Sequence, residues 1–435
     1  MESQGFQASS FGEKLFESSC KVVMPLRQSP VDAVAEVWSL GLVVKPVSEN
    51  TIFIAYTETP KMEASNYRAT IATKAGAIAL SQFGTKYERF AQVLTESWSD
   101  ALAKALLMEE SNLVYEVSCL TSMRVYLQPV QSRIRIYDTA LVILPLNTVP
   151  VRIPFSSLKS IDYDAFKIRL TLWDGETTEV SRLGNATQFF YDKLKEAKKS
   201  LEESTLETIE AMVPSASFQE LNSLSSLMME GRAAPRYAVQ SISAALWEKL
   251  EKSVEISPLS AAYHYLSTVG LNDLESLGLR KTLNSVYLWF MIPLMSTQDR
   301  QGGNALLMEV TSETGHATYL FRVMPRNQFA ATTTEEFAKR SEILIRELNE
   351  AIVATGFRRE PIYLSDEQLN RPEYSKYLYA SRHLEPLRLL RDRFFARIIH
   401  NTFDQWKADL NEALHFNITE TNDSFRWSSG HANVE

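Results

Sequence analysis

A fifteen-residue stretch of this chain is written twice, one hundred positions apart. Residues 80–94 (LSQFGTKYERFAQVL) align without a gap on 180–194 (VSRLGNATQFFYDKL), with identities at Ser81/Ser181, Gly84/Gly184, Phe90/Phe190 and Leu94/Leu194. A repeat at fixed spacing means two copies of one supersecondary unit, and each copy must supply its own core. Around the first copy, TIFIAY, YRATIAT and AIALS are rich in β-branched and aromatic residues and bracket the turn Lys74-Ala75-Gly76, which predicts a hairpin. After Gly84 the spacing turns helical: Tyr87, Phe90, Val93, Leu94, Trp98 and Leu102 form one face, and the helix closes near Glu110.

The second copy is longer in legible strands. Arg124 to Leu127, Arg133 to Tyr137, Ala140 to Leu144, Val151 to Phe155 and Lys167 to Trp173 precede the turn Asp174-Gly175-Glu176 and a last strand through Val180. A helix follows, with Phe189, Phe190, Leu194, Ala197 and Leu201 as its apolar stripe. A looser third copy is expected from Val286 to Leu294, Ala305 to Thr311 and Ala317 to Met324. Its closing helix opens at Thr334-Glu335-Glu336, carries Phe337, Ile343, Leu344, Leu348 and Ile352, and ends at Gly356. Residues 201–235 are rich in Ser and Glu with breaks at Pro214, Gly231 and Pro235, so a linker is expected there. Two helices (Tyr237 to Glu255, Pro258 to Thr268) should follow. The tail from Glu373 to Phe416 reads as helical, with Pro386 starting or breaking a helix, and Thr419 to Glu435 as a frayed end.

Strands, a hairpin and one closing amphipathic helix, repeated, resemble the order of the pleckstrin-homology-like superfold. The stretch RIYDTALVILPLNTVPVRIPFSSLKSIDYD is similar to the strand pairs of bacterial pleckstrin-homology and GRAM-like domains, with Ile153 to Leu158 before a variable loop. The resemblance implies an α+β chain of tandem bent-barrel or sheet units, each plugged by its helix, plus a helical C-terminal region. The expected boundaries are 1–112 and 113–205 for two such units, 206–282 for a linker and helical segment, 283–357 for a third unit, and 358–435 for the helical region. It also implies binding of a protein, a phosphoinositide or another backbone rather than catalysis. In such families lipid is met by basic residues of the first hairpin. Here Arg124, Arg133 and Arg135 are the candidates, with Arg133 and Arg135 alternating around Ile134 on one strand face.

Composition narrows the partners. At 435 residues about two to four domains are expected. A net charge of -8 speaks against a dedicated nucleic-acid binder. Cys20 and Cys119 are the only cysteines and have no metal-like spacing, which fits buried thiols in a reducing, cytoplasmic setting. The first residues, MESQGFQASS, lack the basic start and apolar centre of an export leader. The longest apolar runs, Val286 to Met295 and Ala140 to Leu146, are too short to span a bilayer and are expected as buried strands.

Motifs that carry chemistry are missing. No GxSxG, GxxxxGK[ST] or GxGxxG occurs, and the six histidines (His264, His316, His383, His400, His415, His431) show no paired metal spacing. Neither a metal nor a cofactor is expected. Asp162-Tyr163-Asp164 puts two carboxylates on one strand face, which a solvated loop explains better than a cation site. Arg388, Arg391 and Arg397 fall near one another on a helical projection of the tail and are candidates for a partner surface, although Glu385, Asp392 and Asp404 interleave with them. The expectation is a non-catalytic interaction or scaffold protein that binds a protein partner or itself. The alternatives are anionic-lipid binding through the basic edge of the second unit, and an enzyme whose residues converge only in three dimensions.

Overall fold

The computed structural model describes residues 11–419 except 26, 28, 48, 60, 110, 282–285, 297–301 and 313–314, so the first ten residues, His431 and the expectation for the end beyond Thr419 lie outside the described residues. The chain divides into two compact units, an N-terminal one (Met1–Ile153 with Leu158–Lys195) and a C-terminal one (Pro154–Ser157 with Glu196–Glu435).

The N-terminal unit holds both repeats. The first has strands β1 (Lys14–Val23), β2 (Val31–Trp38), β3 (Gly41–Pro46), β4 (Ile52–Ala55), β5 (Met62–Ser65), β6 (Arg68–Thr73) and β7 (Gly76–Ser81), then helix α1 (Tyr87–Ala105). The second has β8 (Leu113–Met123), β9 (Val130–Tyr137), β10 (Ala140–Pro145), β11 (Val151–Pro154), β12 (Leu158–Asp164), β13 (Lys167–Leu172) and β14 (Thr177–Ser181), then α2 (Thr187–Met212). Their antiparallel sheets have one strand order, β4-β3-β2-β1-β7-β6-β5 and β11-β10-β9-β8-β14-β13-β12. The repeat legible over fifteen residues therefore extends through a whole fold. Of the first copy, the sequence makes β4, the β6–β7 hairpin and α1 legible, while β1 to β3 and β5 carry no such signal.

In each copy the opening strand serves two neighbours. β1 pairs with β2 along most of its length and with β7 only at Lys21 to Val23, and β8 repeats this with β9 and with β14 at Leu120 to Met123. Lys21 pairs with Ser81 and Leu120 with Ser181, so Cys20 and Cys119 occupy equivalent places, each one residue before that pairing. Both thiols are buried, and burial pushes them up to about 11 and about 12. Among the described residues none of the sheets forms a closed barrel; each strand order ends in two edges.

The helix stripes behave as their spacing predicts. Phe90, Leu94, Phe190 and Leu194 are fully buried, and Phe83 stacks on Phe90 at 4.0 Å. Burying such a ring contributes on the order of 2–3 kcal/mol, enough to hold a helix on an open sheet. Phe189 departs from the expected stripe: it is half exposed and meets Tyr115 edge-on at 5.0 Å, while the next residue, Phe190, takes the core position. α2 also runs eleven residues past Leu201, through what was read as the start of the linker.

In the C-terminal unit come α3 (Phe218–Leu227), β15 (Ala234–Pro235), α4 (Arg236–Ile242), α5 (Ala244–Glu255), α6 (Ser260–Val269), β16 (Ser276–Lys281), β17 (Val286–Leu294), β18 (Ala305–Ser312) and β19 (Gly315–Arg322). They are followed by α7 (Arg326–Phe329), α8 (Thr334–Ala354), α9 (Glu360–Tyr363), α10 (Asp366–Leu369), α11 (Leu378–His383), α12 (Glu385–Arg393), β20 (Phe394–Ile399) and α13 (Phe403–Thr419). Strands β15 to β20 make one six-stranded sheet in chain order. This order differs from that of the repeats. The expected third copy at 283–357 is therefore corrected: its sheet takes β15 and β16 from the presumed linker region and β20 from the presumed helical tail, because strand pairing satisfies backbone groups across any sequence distance. The α8 stripe is buried at Phe337, Leu344, Leu348 and Ile352 but not at Ile343, and its cap is Thr333, whose hydroxyl accepts from the Glu336 amide. Gly356 ends the helix with a left-handed backbone, as expected.

Candidate functional site

The second repeat gathers three loops at one end of its sheet. β8 ends at Met123 and β9 begins at Val130; β10 ends at Pro145 and β11 begins at Val151; β13 ends at Leu172 and β14 begins at Thr177. Antiparallel pairing puts all three connections at the same end. Arg124 Nη1 meets Glu176 Oε1 at 2.7 Å and ties the first loop to the third. Tyr126, itself buried, donates its hydroxyl to the Val149 carbonyl at 3.1 Å and ties the first to the second. In the third loop Gly175 takes φ +90 and the Glu176 amide donates to Asp174 Oδ1 at 2.8 Å, so turn chemistry holds Trp173 at the rim.

Among the side chains exposed at this tip are four apolar ones. Leu127 is fully exposed, and Val125, Val149 and Trp173 are each about half exposed (48%, 46% and 53%). In the first repeat the matching turn is Lys74-Ala75-Gly76, where a β-carbon on Gly76 would meet Pro25 at 2.7 Å, and Val47, just past β3, is exposed at the same end. Both copies thus expose apolar side chains at this end, and in the second they include a tryptophan. The sequence reading placed Leu127 and Trp173 at strand ends and missed the tip; the run Val125-Tyr126-Leu127 before Gln128-Pro129 was the available signal.

The three arginines proposed as a basic edge lie apart. Arg124 belongs to the tip. Arg133 and Arg135 share a face of β9, as expected, but that face meets acids. Arg133 reaches Glu116 at 3.2 Å and Glu96 at 3.9 Å. Arg135 is buried, donates from Nε to Glu116, and meets Asp100 on α1 at 2.6 Å. Burial opposes its charge, yet the hydrogen bonds to Glu116 and Asp100 outweigh it and push the guanidinium further up. These two side chains join the repeats to each other, so the edge they were expected to expose is an internal seam. Asp162 and Asp164 are exposed on β12, paired in register with Arg169 and Lys167.

The tail arginines separate as well, because Phe394–Ile399 is a strand. Arg388 and Arg391 are on α12, whereas Arg397 on β20 has its guanidinium 4.4 Å from the Tyr363 ring and 5.9 Å from that of Tyr319. The expected shared helical face of the three is therefore overturned. Arg391 is buried and donates to the carbonyls of Pro361 (2.6 Å) and Leu364 (2.8 Å) and to Asp366 (2.7 Å).

Buried acids were not foreseen, and two of them are in the C-terminal unit. Glu309 on β18 accepts from Thr318 and stands 3.0 Å from His400 Nε2; Trp406 donates to Thr318 at 2.8 Å. Glu275, before β16, is enclosed by Tyr263, Glu251, Arg236 and Ser267, and burial pushes its carboxyl up to about 7. Among the described residues no group of three or more His, Cys, Asp or Glu could hold a metal ion, and no helix is long and apolar enough to cross a membrane.

No family model matches the chain, and no curated protein matches it. Among solved structures, the chain is similar to the C-terminal domain of an unknown protein from Leishmania infantum at 14% identity, covering 21% of this chain and 87% of that one, with a TM-score of 0.19. It is also similar to the Spt16D Pob3N heterodimer at 16% identity, covering 37% of this chain and 85% of that one, with a TM-score of 0.16. Likenesses this slight leave fold and function to be argued from the chain itself.

Proposed function

We propose that this chain is a non-catalytic interaction protein whose second repeat binds a protein partner through the tip formed by Val125, Leu127, Val149 and Trp173. The observation that carries this reading is a fully exposed Leu127 and a half-exposed Trp173 at one end of the sheet, on loops linked by the Arg124–Glu176 pair and the Tyr126–Val149 hydrogen bond. Exposed apolar surface held on a rigid frame is what association uses, and a tryptophan with an aliphatic neighbour suits a hot spot. Covering Leu127 alone removes enough apolar area for about 2 kcal/mol. The two repeats are read as pleckstrin-homology-like units, on the strength of their common strand order and closing helices.

Charge favours protein over anionic lipid. The tip carries Arg124 against Asp174 and Glu176, and Arg133 and Arg135 are held by Glu116, Glu96 and Asp100. The test compares the wild-type chain with L127D/W173A in quantitative co-purification from its native lysate and in sedimentation with anionic vesicles at low salt. A reproducible partner lost by the double variant, with no vesicle binding by either chain, is expected. A partner retained by the double variant would refute the tip; vesicle binding that the double variant abolishes would make the tip a lipid site.

A further inference from the structure

In the C-terminal unit α10, α11 and α12 enclose a cleft of 860 Å³ lined by serine, glutamine and charged side chains. Its charged lining is Arg382, Arg388, Arg391, Asp366, Glu367 and Asp392. The three arginines and three carboxylates balance formally, but they are not equally paired. Arg391 and Asp366 neutralise each other at 2.7 Å, and Asp392 is engaged. Among the described residues neither Arg382 nor Arg388 has an ion-pair or side-chain hydrogen-bond partner, and the same holds for Glu367. Two open guanidiniums thus face one open carboxylate.

We propose that this cleft binds an acidic peptide segment, its carboxylates seated on Arg382 and Arg388. Guanidinium is the side chain best shaped to take a carboxylate through two parallel N–H donors, and two of them, on α11 and α12, line the one cleft. A single small anion would leave most of the cleft unfilled, since 860 Å³ lies toward the upper end of what ligand-sized pockets offer. Glu367 supplies acceptors for a peptide main chain, and Gln368, whose Oε1 already accepts from the Ser365 amide at 2.9 Å, supplies its Nε2 donors. The chain as a whole carries -8, so its overall field repels an acidic ligand, and binding must come from this local pair. The proposal does not depend on the tip of the second repeat.

The experiment is fluorescence anisotropy of labelled hexaglutamate with the full chain at low and physiological salt. Saturable binding is expected, weakened about tenfold or more in R382A/R388A, a loss of one decade in affinity. It should be unchanged in R371A, which removes an exposed arginine outside the cleft lining, and unaffected by an equal concentration of inorganic phosphate. Equal affinity in R382A/R388A, no saturable binding at low salt, or equal weakening by R371A would overturn the proposal; displacement by phosphate would replace the peptide by a single anion. Should the alanine variant fail to fold, R382K/R388K reads the same question, because lysine keeps the charge and loses the fork: affinity equal to wild type would overturn the bidentate seat.

Discussion

Gly84 and Gly184 hold the same left-handed backbone, φ +60 and +57, in the turn between the last strand and the closing helix of their repeats. Two residues earlier Gln82 and Arg182 are also left-handed, at φ +59 and +60. A β-carbon on either glycine would meet nothing within 4 Å, so alanine is disfavoured there by backbone strain alone. G84A and G184A are each expected to destabilise by about 1–2 kcal/mol, equally within error, in denaturant unfolding. Costs that differ by more than about 1 kcal/mol would show that the two junctions are not equivalent.

Phe90 and Phe190 have no exposed surface, so truncation removes transfer energy and leaves a cavity. F90A and F190A should each lower stability by about 3–5 kcal/mol. Phe189, next in sequence to Phe190 and half exposed, is the internal control: F189A should cost under about 1 kcal/mol. Thermal and urea unfolding measure all three.

Among the arginines, burial decides the cost of removal. Arg135 is buried between Glu116 and Asp100, so R135A leaves Glu116, already half-buried, short of a partner; about 2–4 kcal/mol should be lost. Arg124 is exposed and pairs with Glu176 in water, so R124A should change stability by less than about 0.5 kcal/mol. Similar values for the two would remove the internal seam.

Glu275 gives the chain a pH dependence of definite sign. Its folded carboxyl is pushed by burial from 4.5 to about 7, so between these values the folded state holds a proton that the unfolded state has released. Its contribution to stability is therefore full below about 4.5, falls as pH rises toward 7, and is constant above. Nearby Glu251 adds to the shift, while Tyr263, Arg236 and Ser267 oppose it. Replacing Glu275 by glutamine removes the decline, so E275Q should gain roughly 3 kcal/mol on wild type between pH 4 and pH 8. Urea midpoints across that range check it; a constant difference between the two proteins would be the contrary result.

Local order was legible where the chain repeats itself or keeps a strict period. The α1 and α2 stripes, the Asp174-Gly175-Glu176 turn, the buried β17 and the two cysteines all follow from spacing and residue type within a dozen positions. β20 was not legible. Phe394 to Ile399 (FFARII) is a short apolar run whose periodicity fits a strand or a helix turn equally, and its neighbours Arg388 and Arg391 are helical.

What the sequence by itself determined is the pair of hairpin-and-helix units, because backbone preference, glycine at a left-handed turn and one apolar face are properties of adjacent residues. Only the tertiary structure decided which charges and surfaces remain open. Arg135 meets Asp100 thirty-five positions away, β20 joins β19 across more than seventy residues, and Leu127 and Val149 share a tip because separate strands end together. Ion pairing and strand pairing depend on distance in space. A charge or an apolar side chain can therefore be read from the chain, but whether it is covered is settled only when the chain has closed upon itself.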